Sequence, residues 1–165
     1  MSEICLEQQL AALNFALAGK IIGGPNGKIS FDLIDEARYG TCVYMWIKQD
    51  RHGVLVGPPC YIGIAGDTLR KRCDQHDRIG FNGRTRQKGW EHAREIRQLQ
   101  SAGYEIAVWA KECDVVGLLG EEVSLALLEE MALIWKFQPP WNKPADRKRK
   151  TYSSSVRRWE LKQNE

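Results

Sequence analysis

The stretch CYIGIAGDTLRKRCDQH, residues 60–76, changes character halfway along. Cys60 to Ala65 form a short run rich in β-branched and aromatic residues, which reads as a strand. Gly66-Asp67 is a turn, and Asp67 is the expected N-cap of a basic helix running through TLRKRCDQHD. On that helix Arg72 and His76 stand four apart and so share one face, just past the end of the strand. A guanidinium and an imidazole placed there suit a solvated surface or a grip on a phosphate.

Outward from this stretch, TCVYMWIK (41–48) reads as a second strand, joined to the first through the polar segment QDRHGVLVGPP. That connection predicts an antiparallel hairpin with a long loop, with Tyr44 and Tyr61 on neighbouring strands. Downstream, FNGRTRQKG reads as a loop and WEHAREIRQLQSAG as an amphipathic helix closed by Gly103. YEIAVWAKEC alternates as a strand does, and EEVSLALLEEMALIWKFQ, halted by Pro139-Pro140, is expected to be the most buried helix. Upstream, EICLEQQLAALNFALAG places Ile4, Leu6, Leu10, Leu13 and Leu17 near helical spacing up to Gly19, and FDLIDEAR follows as a short helix capped by Ser30. The fold expected is α+β, a small central antiparallel or mixed three-stranded sheet flanked by helices. Residues 1–39 are expected to form a helical extension packed on a core at 40–143, and 144–165 a basic tail.

At 165 residues the chain is expected to form one domain with a core of its own. Its five cysteines are scattered, with no C-x-x-C pair and no metal-ligand rhythm with the three histidines, as in a reduced compartment. No signal peptide or membrane span is apparent, so a cytoplasmic location is expected. Net charge is only +3, but residues 143–165 hold eight Lys/Arg against three acids, which leaves the rest slightly acidic. Within that body, Arg70 to Arg97 is a second basic zone of nine Lys/Arg and four acids. Two such zones suit a polyanionic partner.

The combination of CVY (42–44) and YIG (61–63), the series Leu69, Arg72 and His76, and a glutamate before a Pro-Pro-x-Asn turn in EMALIWKFQPPWN resembles the GIY-YIG nuclease superfamily. The resemblance spans roughly residues 40–143. Ile64 stands where the repair branch of the family carries lysine, so stand-alone restriction-type or phage-type endonucleases are the better likeness. The resemblance implies an active site of Tyr44, Tyr61, Arg72, His76, Glu130 and Asn142, with DNA as substrate.

Each of these residue types suits one part of phosphodiester hydrolysis. Glu130 would hold one Mg²⁺ or Mn²⁺, a hard ion that prefers oxygen ligands, and no small-molecule cofactor is called for. Arg72 offers a planar, permanently charged fork to phosphate oxygens. An ordinary tyrosine is only about 0.1% phenolate at neutral pH, so Tyr44 or Tyr61 would need Arg72 or the metal to lower its pKa. His76 is the other candidate base. The expectation is that Tyr44 contacts the attacking water, His76 takes the proton directly or through that phenol, Tyr61 orients phosphate and Asn142 fixes one of these groups. Glu129 adjoins Glu130, and only the spacing to Asn142 favours the latter. His52, His92 and the cysteines are left to packing or surface roles.

Substrate contacts are expected from Arg70, Lys71, Arg84, Arg86 and Lys88, with Trp90 as a stacking platform, and from Lys148, Arg149, Lys150, Arg157, Arg158 and Trp159 of the tail. Two subunits would suit cleavage of both strands at a symmetric site. The alternatives are a non-catalytic nucleic-acid-binding module on the same fold and a DNA-repair nuclease.

Overall fold

The computed structural model describes residues 5–24, 27–34, 39–82 and 89–142. The elements run α1 (Leu6–Ala12), β1 (Ala16–Gly23), β2 (Ile29–Leu33), β3 (Cys42–Gln49), β4 (Tyr61–Ala65), α2 (Leu69–Gln75), a π-helical turn (His76–Phe81), α3 (Trp90–Ser101), β5 (Glu105–Glu112), β6 (Val115–Leu118), β7 (Glu121–Ser124) and α4 (Ala126–Phe137). Strands β1 to β5 make one antiparallel sheet in the order β2-β1-β5-β3-β4, and β6 and β7 pair separately. The fold is α+β as expected, but the sheet has five strands where three were expected.

The two extra strands come from the segment read as helical. Leu6 and Leu10 do pack inward on α1, but Asn14, with φ of 62°, ends the helix five residues before Gly19. Asparagine tolerates this left-handed geometry, and at a helix C-terminus it is as good a stop as glycine. The chain then doubles back through a turn in which Gly24 N–H donates to Lys28 O (2.7 Å), so Phe31, Asp32 and Leu33 lie in β2 and not in a helix. Gly19 allows the close pairing: a Cβ there would stand 2.2 Å from Asp32 O.

The β6–β7 hairpin was also unforeseen. Leu119 and Gly120 both have positive φ (54° and 89°), the geometry of a two-residue hairpin turn usually made by Asn-Gly. The helix read from Gly120 onward therefore starts only at Ala126. It is not the most buried helix either, because Leu127, Leu128 and Trp135 face outward and only Ala126 and Ile134 are buried.

At the centre, β3 is buried at every position from Cys42 to Ile47. Cys42, Tyr44 and Trp46 face a core layer shared with α2, α3 and the π-turn. Val43, Met45 and Ile47 face a second layer containing Leu10 of α1 and Ile134 of α4. The alternation of strand side chains thus divides the core, and it puts Tyr44 and Trp46 on the same side as the basic helix. All five cysteines are free thiols. Among the described residues no helix is long and apolar enough to cross a membrane.

Candidate active site

The β3–β4 register places Tyr44 opposite Gly63 and Trp46 opposite Tyr61. Both tyrosines project to the α2 side of the sheet, with ring centroids 6.1 Å apart. Gly63 makes room for them: a Cβ at this position would lie 2.8 Å from Tyr44 Oη and 2.9 Å from Tyr61 Cε1. Helix α2 begins beyond the strand, capped by Thr68 rather than Asp67, since the Thr68 hydroxyl accepts from Lys71 N–H (3.2 Å). The cap shifts by one residue and Arg72 and His76 stay on one face.

Their side chains meet on Tyr44. Arg72 Nε donates to Tyr44 Oη (3.3 Å), and Tyr44 Oη lies 2.7 Å from His76 Nε2. A phenol oxygen carries one hydrogen and two lone pairs, so the Tyr44 hydroxyl that accepts from Arg72 can donate its hydrogen to His76 Nε2 when the imidazole is neutral with its proton on Nδ1. Electrostatics agree. Burial, reinforced by Arg72 and His92, pushes the His76 pKa down from 6.5 to about 3. Burial also raises the Tyr44 pKa, aided by Tyr61 and opposed by Arg72. For Tyr61, burial raises it against Arg72, with Glu130 adding to the rise. Arg72 does act to lower both tyrosines, as a tyrosine base would need, but desolvation outweighs the guanidinium and both phenols are held above the ordinary tyrosine value.

Tyr44 was expected to contact the attacking water, yet it is 0% exposed. The partly exposed members are Tyr61, Arg72, His76 and Glu130. Helix α4 packs on β4 and β3 and brings Glu130 within electrostatic reach of Tyr61. Its neighbour Glu129 accepts instead from Lys111 Nζ (2.9 Å) and from Asp114 N–H (2.8 Å), tying α4 to the end of β5. Of the two, Glu130 is the one whose charge the Tyr61 phenol feels, while Glu129 is engaged by Lys111 and Asp114.

Asn142 engages the backbone of β4 next to Tyr61. Its amide is bonded at both ends to one residue, accepting from Ile62 N–H and donating to Ile62 O, each at 2.9 Å. Trp141 N–H also donates to Cys60 O (2.9 Å). The turn at 139–142 therefore holds β4 in place around Tyr61 and Gly63, and Asn142 bonds the strand and not the reactive side chains. Replacing Asn142 with alanine leaves two buried backbone groups unpaired, an expected loss of about 3 kcal/mol read as a lower thermal midpoint.

One residue at the site was assigned only to packing or the surface. His92 of α3 packs beside Tyr61 (4.9 Å between centroids) and Trp46 (5.7 Å), stacks on Trp141 (6.1 Å), and donates from Nε2 to Trp141 O (3.0 Å). The signal was present: His92, Ile96 and Leu99 are spaced i, i+4, i+7 on the inward face of α3. Burial lowers its pKa too, against the Trp141 carbonyl that raises it. For His76, folding disfavours the proton, so its contribution is neutral above pH 6.5 and turns destabilising between 6.5 and about 3, where only the unfolded chain is protonated. Stability is expected to fall by up to ~1.4 kcal/mol per pH unit in that window, checked by urea titrations at stepped pH.

Of the proposed substrate contacts, Arg70 and Lys71 lie on the exposed side of α2, with Lys71 paired to Asp67. Arg84, Arg86, Lys88, Lys148, Arg149, Lys150, Arg157, Arg158 and Trp159 lie outside the described residues. Trp90 opens α3, with the Arg94 guanidinium 5.9 Å from its ring, on the wall of an open cavity of about 510 Å³ that also includes Arg97 and Gln98.

No family model matches the chain, and no curated protein matches it. Among solved structures, a mutant of bacteriophage T4 EndoII matches with a TM-score of 0.61 at 21% identity, over 85% of this chain and 100% of the other. The restriction endonuclease HPY188I, solved in complex with product DNA, matches 86% of this chain and 84% of its own at 17% identity, with a TM-score of 0.40. The chain thus shares its fold with T4 EndoII.

Proposed function

We propose that the chain is an endonuclease that hydrolyses DNA phosphodiester bonds with the help of one Mg²⁺ or Mn²⁺ ion. The observation that carries the reading is the hydrogen-bonded series from Arg72 through Tyr44 to His76, with Tyr61 and Glu130 at its open side. An isolated surface arginine and histidine would have no reason to converge on a buried phenol.

In this reading the water gives its proton to the neutral imidazole through the phenols. Tyr61 stands at the solvent side, Tyr44 passes its own hydrogen to His76 Nε2, and Arg72 stabilises the charge that develops on Tyr44 oxygen and on the phosphate. Two buried phenols that stay protonated are suited to relaying a proton and unsuited to storing a phenolate. A bound phosphate, being anionic, raises the affinity of His76 for the proton at the moment it is needed.

The donor set suits a hard ion held lightly. Among the described residues no three His, Cys, Asp or Glu gather in one place, so Glu130 would be the protein ligand and water and phosphate would fill the other positions. When bound, the ion neutralises charge on the phosphoryl and leaving oxygens. Substrate binding would fall to the basic zones around α2 and α3 and to the tail. If about five cations contact phosphates, log affinity should fall with log salt at a slope of about −4 to −5, measured by anisotropy on duplex DNA.

The deciding experiment is nicking of supercoiled plasmid in Mg²⁺. Glu130→Ala is expected to cut at least about 100-fold more slowly than wild type. Glu129→Ala should lower the thermal midpoint and leave most of the rate. A wild type that cuts no faster than Glu130→Ala makes the chain a binding module.

A further inference from the structure

His76 begins a π-helical turn, and a polar side chain closes it; proton transfer by itself requires neither. The turn His76–Phe81 continues α2 without a break and ends at Asn82, whose N–H donates to Asp77 O five residues back (3.1 Å). Wide turns of this kind are uncommon and concentrate at functional sites. The Asn82 amide does more than end the turn. Its Oδ1 accepts from Ile29 N–H (3.0 Å), and its Nδ2 is directed at Ile29 O (2.7 Å), Asp77 O (3.2 Å) and the Asp77 carboxylate.

Ile29 is the first residue of β2, 53 positions away. Two residues further, on the same face of that strand, Phe31 lies against the site. Its ring is 6.2 Å from His76, 6.0 Å from Trp46 and stacked on Phe81 at 5.6 Å. Phe81, the residue before Asn82, stacks in turn on His76 at 5.6 Å and 21°. One amide therefore holds together the two segments that carry the rings walling the imidazole.

We propose that Asn82 is a positioning residue for His76: by clamping the end of the π-turn to the start of β2 it sets Phe31 and Phe81 against the imidazole and keeps Nε2 on the Tyr44 hydroxyl. The inference rests on the nuclease reading for its rate effect and on geometry alone for its structural effect. The other groups facing His76 are Tyr44 from β3, Tyr61 from β4, Arg72 from α2 and His92 from α3, with Asp77 beside it in the turn. None of them bonds β2 to the turn in the way Asn82 does. Without the clamp the ring is free to rotate off the phenol while the groups that bind phosphate stay where they are.

The test compares Asn82→Ala and Phe31→Leu with wild type, and with Ile96→Val as a core control from the same apolar layer. Single-turnover cleavage by Asn82→Ala is expected to fall on the order of 10- to 100-fold, with the Kd for duplex DNA within about twofold of wild type. Phe31→Leu should lie between the two, and Ile96→Val should lose thermal stability and keep its rate. Independently of cleavage, ¹⁵N spectra of the metal-free protein should show His76 Nε2 as a fixed hydrogen-bond acceptor in wild type and averaged tautomers in Asn82→Ala. A folded Asn82→Ala with wild-type rate and wild-type His76 resonances overturns the proposal. Should that variant not fold, unchanged rate and resonances in Phe31→Leu overturn it equally. A wild type with no cleavage at all counts against the nuclease reading and leaves the spectra to decide the role of Asn82.

Discussion

Exchanging Arg72 for lysine should lower single-turnover cleavage at least about 100-fold while changing DNA affinity little. The guanidinium holds two partners at once: Nε donates to Tyr44 Oη and Nη1 to Gln75 Oε1 (3.0 Å). An ammonium keeps the charge, which is what a phosphate feels at long range, but it cannot keep the fork. Tyr44 would lose the donor that orients its single hydrogen toward His76, and the phosphate would lose a planar partner. Burial opposes the charge on Arg72, but the Tyr44 and Tyr61 oxygens outweigh it, and its pKa is raised. The measurement is the rate constant at saturating enzyme beside Kd from anisotropy. A rate within about threefold of wild type would mean that charge alone suffices and would remove the planar fork from the mechanism.

The second large effect is expected from one methyl group. Gly63→Ala puts a Cβ 2.8 Å from Tyr44 Oη and 2.9 Å from its Cζ. In an open setting a tyrosine ring would swing aside at little cost, but Tyr44 is fully buried with its hydroxyl held by Arg72 and His76. The ring must give way, and giving way breaks the contact with Nε2. Overpacking of this kind costs about 1–3 kcal/mol, or several degrees in the thermal midpoint for a domain of this size. The cleavage rate is expected to suffer more, on the order of 100-fold, because displacement of about 1 Å at a relay is felt fully by the chemistry. Gly66→Ala is the matched control: nothing lies within 4 Å of a Cβ there, and both readings should stay near wild type.

The parts of the site that were legible in the sequence are those set by local periodicity. Tyr44 and Tyr61 fall on paired strands because both runs are β-branched and aromatic, and Arg72 with His76 share a face because four residues make about one helical turn. What the sequence concealed depends on tertiary context. Whether a phenol is acidic depends on what covers it, and at Tyr44 and Tyr61 burial outweighs the arginine that the spacing placed nearby. The N-terminal strands were misread because five leucine and isoleucine residues happen to fall near helical spacing, while the Asn14 stop and the close approach at Gly19 are single-residue signals. Asn142 was assigned to the reactive groups because order along the chain gives proximity but not direction, and its amide turns to the backbone of Ile62. The same limit left Glu129 and Glu130 undivided until Lys111 was seen to take one of them.

The two asparagine clamps also act at the margins of the sheet. β2 and β4 are its outer rails, and bare rails invite strand addition by a neighbouring chain. At Ile29 and at Ile62 the outward-facing donor and acceptor are each already taken by a side-chain amide that imitates a passing strand. Each rail is thereby blunted at that point against templated polymerisation by the same contact that orders the site behind it.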